Sequence, residues 1–325
     1  MKTALLSRGQ IEKVLDMDMV IQTVDEVFKA HGNKEAVLPA KISLDLSPMG
    51  IQAFSNAMPA YVHALKAAGI KWVGGFPNNP RKNLGYLMAT IILQDPETGI
   101  PLAVMDGVHI TNLRTGAVAG ICAKYLTNPS SDVMAIIGAG QQGRASLIAM
   151  SRLFRLREAR AYDLRPEVSE GYAQEMEAST GVKVLPVTHP RDAVEDADIV
   201  VTATHGDEPI VRNEWLKPGV LSISLGTYQE FDEESVLQAD KVLVDNWEQC
   251  SHRGELKKLV ARGRFKQEMV YAEIGEVAAG LKPGRNSPTE KIMAIPIGLG
   301  THDIAVGYKA YEILKDDCQY FEFFS

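Results

Sequence analysis

Apolar and polar residues follow two different rhythms on either side of residue 128. Beyond it, short apolar runs alternate with helical spacing, and residues 133–137, 159–162, 182–187, 198–204, 220–226 and 241–245 read as strands. Short apolar runs separated by amphipathic helices are the signature of βαβ units, whose strands are buried on both faces of a parallel sheet. Asp192 to Asp198 predicts a small helix leading into the fourth strand, and Pro218-Gly219 a turn before the fifth. Before residue 128 the pattern is mixed. Residues 12–30 carry helical spacing, followed by extended pieces at 41–46, 50–53, 69–74 and 87–93. The turn Asp95-Pro96-Glu97-Thr98-Gly99 predicts a hairpin joining 88–93 to 101–106. A helix rich in Ala, Leu and Ile is predicted over 111–126, and the polar break Asn128-Pro129-Ser130-Ser131 marks a boundary. Residues 303–314 are helical again and are expected to return to the first domain, because the strands of the second are used up by then. The expectation is an α/β protein with a continuous domain over 128–300 and a discontinuous α/β domain from 1–127 and 301–325.

The loop after the first strand of the second domain sharpens this picture. Gly138-Ala139-Gly140-Gln141-Gln142-Gly143 has the form G-x-G-x-x-G, an amphipathic stretch follows, and Asp163 lies 20 residues past Gly143 at the end of the next strand. The first glycine permits the tight turn, the second lets the backbone approach a pyrophosphate, and the third lets helix and strand pack closely. The helix N-terminus offers N–H groups to the phosphates. These features together predict a Rossmann NAD(P)-binding domain. Asp163 accepts from a free ribose 2′-hydroxyl and repels a 2′-phosphate, so NAD(H) is the expected cofactor. Arg165, two residues on, keeps NADP(H) open, since a guanidinium can bind that phosphate.

Composition narrows the partners. The 325 residues are 46% hydrophobic and 23% charged, with net charge −7. That balance argues against nucleic acid, which needs a concentrated basic surface. No run approaches the roughly 20 apolar residues that cross a bilayer, and the first eight residues are interrupted too early for a signal peptide. Cys122, Cys250 and Cys318 lie far apart, suggesting neither disulfides nor a metal site, and the seven histidines show no metal-ligand spacing. The expectation is a cytoplasmic protein acting on a small molecule, with no membrane, nucleic-acid or metal partner. His205 and His302 default to surface or capping roles, and the aromatic tail Tyr320-Phe321-Glu322-Phe323-Phe324 to core or interface packing.

Two cations stand out in the first domain. Lys71 sits in the otherwise apolar and glycine run 69–75, where burying an ammonium is costly without an anionic or carbonyl partner. Arg114 lies near the start of a helix of small residues, where a positive charge opposes the helix dipole unless it binds an anion. For either residue alone, a structural ion pair or a solvated side chain is an equal reading.

With these residues in view, the chain resembles the ornithine cyclodeaminase/mu-crystallin family over almost its whole length. The matching stretches are Ala57-Met58-Pro59; Lys71 followed by Phe76-Pro77-Asn78-Asn79; Asp95 through Pro101; Leu113-Arg114-Thr115; the 138–143 loop; Glu230-Phe231-Asp232; and Gly298 through Asp303. The resemblance implies a Rossmann domain joined to a discontinuous α/β substrate and dimerisation domain, a homodimer, and chemistry through an imine at an amino acid's α-carbon. It implies that Lys71 and Arg114 hold the substrate carboxylate, Lys71 near the reacting carbon, and that Arg114 also approaches the cofactor. A desolvated lysine between cations can have a lowered pKa, which makes Lys71 the candidate acid–base group. It places Gly138, Gly140, Gln141, Gln142 and Gly143 on the pyrophosphate and Asp163 on the ribose. Thr204 with Ser224, Leu225 and Gly226 fall on the nicotinamide half, and Asp303 is the family's C-terminal acid, expected at the cofactor.

Three departures from the cyclodeaminases matter. Thr227 stands where those enzymes have an aspartate that handles a proton, and a threonine hydroxyl is no general base near neutrality. Asn56 replaces a glutamate that holds a distal amine, and Lys41 replaces an arginine and lacks its bidentate fork. The expected function is therefore an NAD(H)-dependent oxidoreductase of small α-amino or α-imino acids, of ketimine reductase or amino-acid dehydrogenase type. A cyclodeaminase-like lyase releasing ammonia, and a non-enzymatic nucleotide-binding protein, are the alternatives.

Overall fold

In the computed structural model, which describes residues 2–206 and 208–323, the strands follow in chain order. They are β1 (Lys2–Leu6), β2 (Ala36–Val37), β3 (Ile42–Asp45), β4 (Phe54–Val62), β5 (Ala67–Gly75), β6 (Leu87–Gln94), β7 (Pro101–Asp106) and β8 (Val133–Ile137). Then come β9 (Glu158–Tyr162), β10 (Lys183–Val187), β11 (Ile199–Thr202), β12 (Leu221–Ser224), β13 (Lys241–Val244), β14 (Ala272–Glu273), β15 (Ile292–Ile295) and β16 (Gln319–Glu322). The chain forms two compact units: residues up to Arg114 together with those from Leu299 onward, and Thr115–Gly298. The division falls inside the helix Val108–Leu126, not at the polar break after it. The later turns of that helix are lined by the second unit: at Gly116 a Cβ would stand 2.3 Å from the carbonyl oxygen of Ala145.

The first unit is built on a sheet of order β16-β1-β7-β6-β5-β4-β2, with β3 also on β4. Its pairs are antiparallel except β1 with β7. One face of this sheet is buried along a row that crosses four strands. Met58, Lys71, Ile91 and Met105 stand in register across four strands, and all are buried. The helix Gly300–Leu314 packs on this face across β4, β5 and β6 beside the helix Met17–Gly32. Gly300 permits that approach, because a Cβ there would come within 2.9 Å of the Met58 carbonyl oxygen.

The structure corrects several sequence expectations here. The helical stretch 12–30 is two helices, Arg8–Val14 and Met17–Gly32, separated where the Asp16 carboxylate caps the second by accepting from the Met19 N–H at 2.8 Å. Residues 50–53 form no strand; the strand begins at Phe54 and is β4. β1 and β16 pair antiparallel at the sheet edge. Phe321 and Phe323 are exposed, not packed in a core, and Phe324 lies outside the described residues.

The second unit is a parallel sheet of order β10-β9-β8-β11-β12-β15-β13-β14. Its interior strand β8 is buried at every position, as expected for a strand covered on both faces. The strands at 133–137, 159–162 and the four that follow are present. β15, which lies between β12 and β13, and the two-residue β14 are additions. Ile292-Met293-Ala294-Ile295 is wholly buried, yet four apolar residues carry too little periodicity to separate a strand from a buried turn. The chain order turns back at β8, with β9 on one side and β11 on the other. This is the switch point where open α/β sheets bind ligands at the carboxyl ends of their strands.

Candidate active site

In the first unit, three residues distant in sequence meet on the buried face. Lys71 projects from β5, Arg114 from the helix Val108–Leu126, and Asp303 from the first turn of the helix Gly300–Leu314. Asp303 takes the Lys71 ammonium at 2.6 Å on one oxygen and accepts from Arg114 Nε at 2.9 Å on the other. Lys71 and Asp303 are both fully buried and Arg114 nearly so. Burial pushes the Lys71 ammonium down to about 7, helped by the Arg114 charge and more weakly by Lys41, while Asp303 opposes the fall. Lys71 also donates to Thr111 Oγ1 at 3.3 Å. Lys41 and Asn56 are buried in the same unit, and Asn56 Oδ1 accepts from Ser43.

Asp303, expected at the cofactor, thus engages both oxygens with cations of its own unit. Beside it, His302 is not at the surface. It is fully buried, edge-on to Phe28 with ring centroids 4.5 Å apart, and neither ring nitrogen has a hydrogen-bond partner among the described residues. Burial holds it neutral, well below the usual histidine range.

In the second unit two of the three loop glycines occupy positions that exclude a Cβ. Gly138 has φ +102°, and a Cβ there would lie 2.6 Å from the Ala203 carbonyl oxygen. At Gly143 a Cβ would lie 2.4 Å from the Gly138 carbonyl oxygen, so helix and strand close only without one. Gly140 differs: it is exposed, and nothing stands within 4 Å of a Cβ position. It caps the helix Gln141–Leu153, whose first N–H groups open at this end. Asp163, just past β9, accepts from the Ala139 N–H at 3.2 Å and the Arg165 N–H at 3.1 Å, tying the loop to the neighbouring strand end. Arg165 is exposed at the start of the helix Pro166–Thr180.

The ends of β11 and β12 hold an arrangement that sequence reading missed. Glu230 and Glu255 are both buried there. Glu230 accepts from the Thr202 hydroxyl at 2.8 Å, the Ser224 hydroxyl at 3.3 Å and the Thr204 N–H at 2.5 Å. Glu255 accepts from the Ser224 hydroxyl at 3.0 Å and from the Glu230 and Phe231 N–H groups at 2.7 and 3.2 Å. The Ser224 side chain, expected at the cofactor, therefore turns inward to the two acids. Leu225 is buried, Gly226 half-buried and Thr227 exposed in the loop that follows. No spacing signals this pair, because its members come together only when two loops fold over the strand ends.

Among the described residues no group of acids, histidines and cysteines is arranged to hold a metal, and no helix is long and apolar enough to cross a membrane. Among the described residues the three cysteines form no disulfide.

Comparison with known proteins agrees with the architecture. The ornithine cyclodeaminase/mu-crystallin family model matches residues 1–317. The alanine dehydrogenase of Archaeoglobus fulgidus is 38% identical over 319 residues, covering 96% of this chain and 95% of that protein. The structure of Thermococcus litoralis Delta(1)-pyrroline-2-carboxylate reductase in complex with NADH and L-proline is similar at TM-score 0.93 and 32% identity, covering 98% of this chain and all (100%) of that one. An archaeal alanine dehydrogenase dimer with bound NAD has TM-score 0.93 and 37% identity, with coverage of 100% on both sides.

Proposed function

This chain belongs to the ornithine cyclodeaminase/mu-crystallin family, and we propose that it is an NAD(H)-dependent oxidoreductase of small α-amino and α-imino acids. The observation that carries the reading is the buried cluster in which one carboxylate, Asp303, serves two cations, Lys71 and Arg114. Two buried positive charges around a single negative one favour a second anion, and a substrate carboxylate has the charge and the two-oxygen geometry to provide it. The reductase and dehydrogenase relatives, and the neighbours crystallised with NAD or NADH, support the same chemistry.

The second unit fits a dinucleotide. Gly140 leaves open space where a pyrophosphate would meet the helix N-terminus, with Gln141 and Gln142 supplying the first backbone positions of that helix. Asp163 would hold the ribose diol, which selects NAD(H) over NADP(H). Bound NADH supplies the hydride that an imine's α-carbon accepts, and NAD+ takes it up in reverse. The chain's own residues do the rest. Arg114 and Lys71 fix the carboxylate and so the orientation of the α-carbon, and positioning of this kind contributes several kcal/mol. Lys71 Nζ, with its lowered pKa, gives up a proton in reduction and takes one up in oxidation.

We further propose a homodimer formed through the outer face of the first unit's sheet, in the cytoplasm. Ile42, Leu44, Trp72, Met88 and Ile92 line that face with exposures of 69, 48, 49, 45 and 40%. A contiguous apolar face of this kind is costly in water and marks an interface. Three cysteines without a disulfide among them suit a reducing compartment.

A panel assay tests the function: NADH oxidation with 2-oxo acids plus ammonia or amines and with cyclic imines, and NAD+ reduction with simple amino acids. Turnover of at least one imine or amino acid is expected. Formation of proline and ammonia from L-ornithine, faster than any redox reaction in the panel, overturns the reading in favour of a lyase.

A further inference from the structure

We propose that Glu230 and Glu255 form a proton-sharing pair that positions the ends of β11 and β12 for the nicotinamide half of the cofactor. The inference rests on the NAD(H) reading above. In a doubly wound sheet the dinucleotide spans two halves. Asp163 at the end of β9 assigns the adenosine half to one side of β8, which leaves β11 and β12 for the nicotinamide.

The donors to the Glu230 carboxyl lie on those strand ends. Thr202 is the last residue of β11 and Ser224 the last of β12, and the Thr204 N–H follows β11 by two residues. Gly226 lies over the same carboxylate, with Glu230 Oε2 3.1 Å from its Cβ position. One carboxyl group therefore gathers both strand ends. Glu255 acts a step behind it, by accepting from the peptide N–H groups of Glu230 and Phe231. Both carboxyls accept from the one Ser224 hydroxyl, which has a single proton to donate. Two buried carboxylates in such proximity do not both ionise near neutrality.

Burial raises both groups. Glu255 is pushed up to about 8, against the pull of its N–H donors and with the help of the Glu230 charge. Glu230 is raised by burial and held back by the donors from Thr204, Thr202 and Ser224. The groups that face the pair are those donors and the other carboxyl. Arg253, half-buried, and Lys257, exposed, flank Glu255 along the chain. Near pH 7 Glu255 is largely neutral, so the pair carries at most one negative charge. Above pH 8 Glu255 ionises, negative charge accumulates within the pair, and the strand ends lose their common anchor.

The test is NADH titration of the full chain at pH 7 and pH 9, with thermal melts at both, for wild type, Glu255→Gln and Glu230→Gln. The wild-type Kd is expected to rise about tenfold from pH 7 to pH 9, following the loss of the protonated form of a group near 8. In Glu255→Gln, which cannot ionise, the ratio of the two Kd values falls to about one. Glu230→Gln weakens binding at pH 7 by about tenfold or more, because an amide nitrogen cannot accept from the strand ends. If Glu230→Gln does not fold, the Glu255→Gln ratio still decides. A flat wild-type ratio overturns the proposal, as does a tenfold rise that survives in Glu255→Gln. A fall in melting temperature that parallels the affinity loss overturns it too, by assigning the pair to general stability. Absence of NADH binding by wild type at pH 7 instead overturns the cofactor reading, and this inference with it.

Discussion

Asp303 is buried between two cations, whereas Glu230 and Glu255 are buried against hydroxyls, peptide N–H groups and each other. The first arrangement assembles full charges from three elements remote in sequence. The second is satisfied by dipoles from the strand ends and from the backbone at residues 230 and 231. Full charges in a poorly solvated interior interact strongly, and removing one leaves the others uncompensated. Dipoles share the load, so their failure is graded and follows protonation. The contrast suits the tasks proposed for them: a substrate clamp would need unbalanced positive charge to meet an anion, and a cofactor platform would need fixed geometry.

The largest expected effect falls on the clamp. Lys71→Ala should lower kcat by about 10²–10⁴, the usual contribution of a positioned acid–base group, while NADH binding, which rests on the glycine loop, stays close to wild type. Retention of more than about a tenth of the wild-type rate removes the acid–base assignment. In the free enzyme, kcat/KM for reduction should fall as pH rises through about 7, where Lys71 loses its proton, and kcat/KM for oxidation should rise over the same range.

Asp303→Asn sharpens the comparison in stability. It leaves Lys71 and Arg114 buried without their shared counter-charge and should cost about 3–5 kcal/mol in urea unfolding. Glu255→Gln, measured alongside at pH 7, replaces a largely protonated acid and should cost under about 1 kcal/mol. Equal losses would mean that the two sites are not differently built.

The smallest effect concerns the ribose. NADH should bind at least about tenfold more tightly than NADPH, equivalent to about 1.4 kcal/mol, because Asp163 repels a 2′-phosphate. Equal affinity in direct titration would assign the exposed Arg165 to that phosphate.

The dinucleotide half was largely legible in the chain itself. Strand, glycines, helix and acid lie within residues 133–163, and the spacing of the glycines states the backbone geometry before any fold is known. The four-residue β15 escaped because a short apolar run has no period to read. Lys71 stood out as a cation in an apolar run, since burying a charge is costly wherever it occurs; Arg114 stood out at an expected helix start, although the helix begins at Val108 and Arg114 lies in its second turn. Their common partner did not, because Asp303 is 189 positions from Arg114 and only sheet and helix packing brings it near.

What the sequence determined by itself is the set of local constraints: which runs can be strands, where a Cβ is excluded and which side chains are too polar to bury unaided. What only the tertiary structure decided is where long-range electrostatics closes. It placed Asp303 between the two cations and turned Ser224 inward to the acids. It also buried His302 against Phe28 with its ring nitrogens unpartnered among the described residues. Charge pairing and desolvation depend on distance through space, which no one-dimensional pattern encodes.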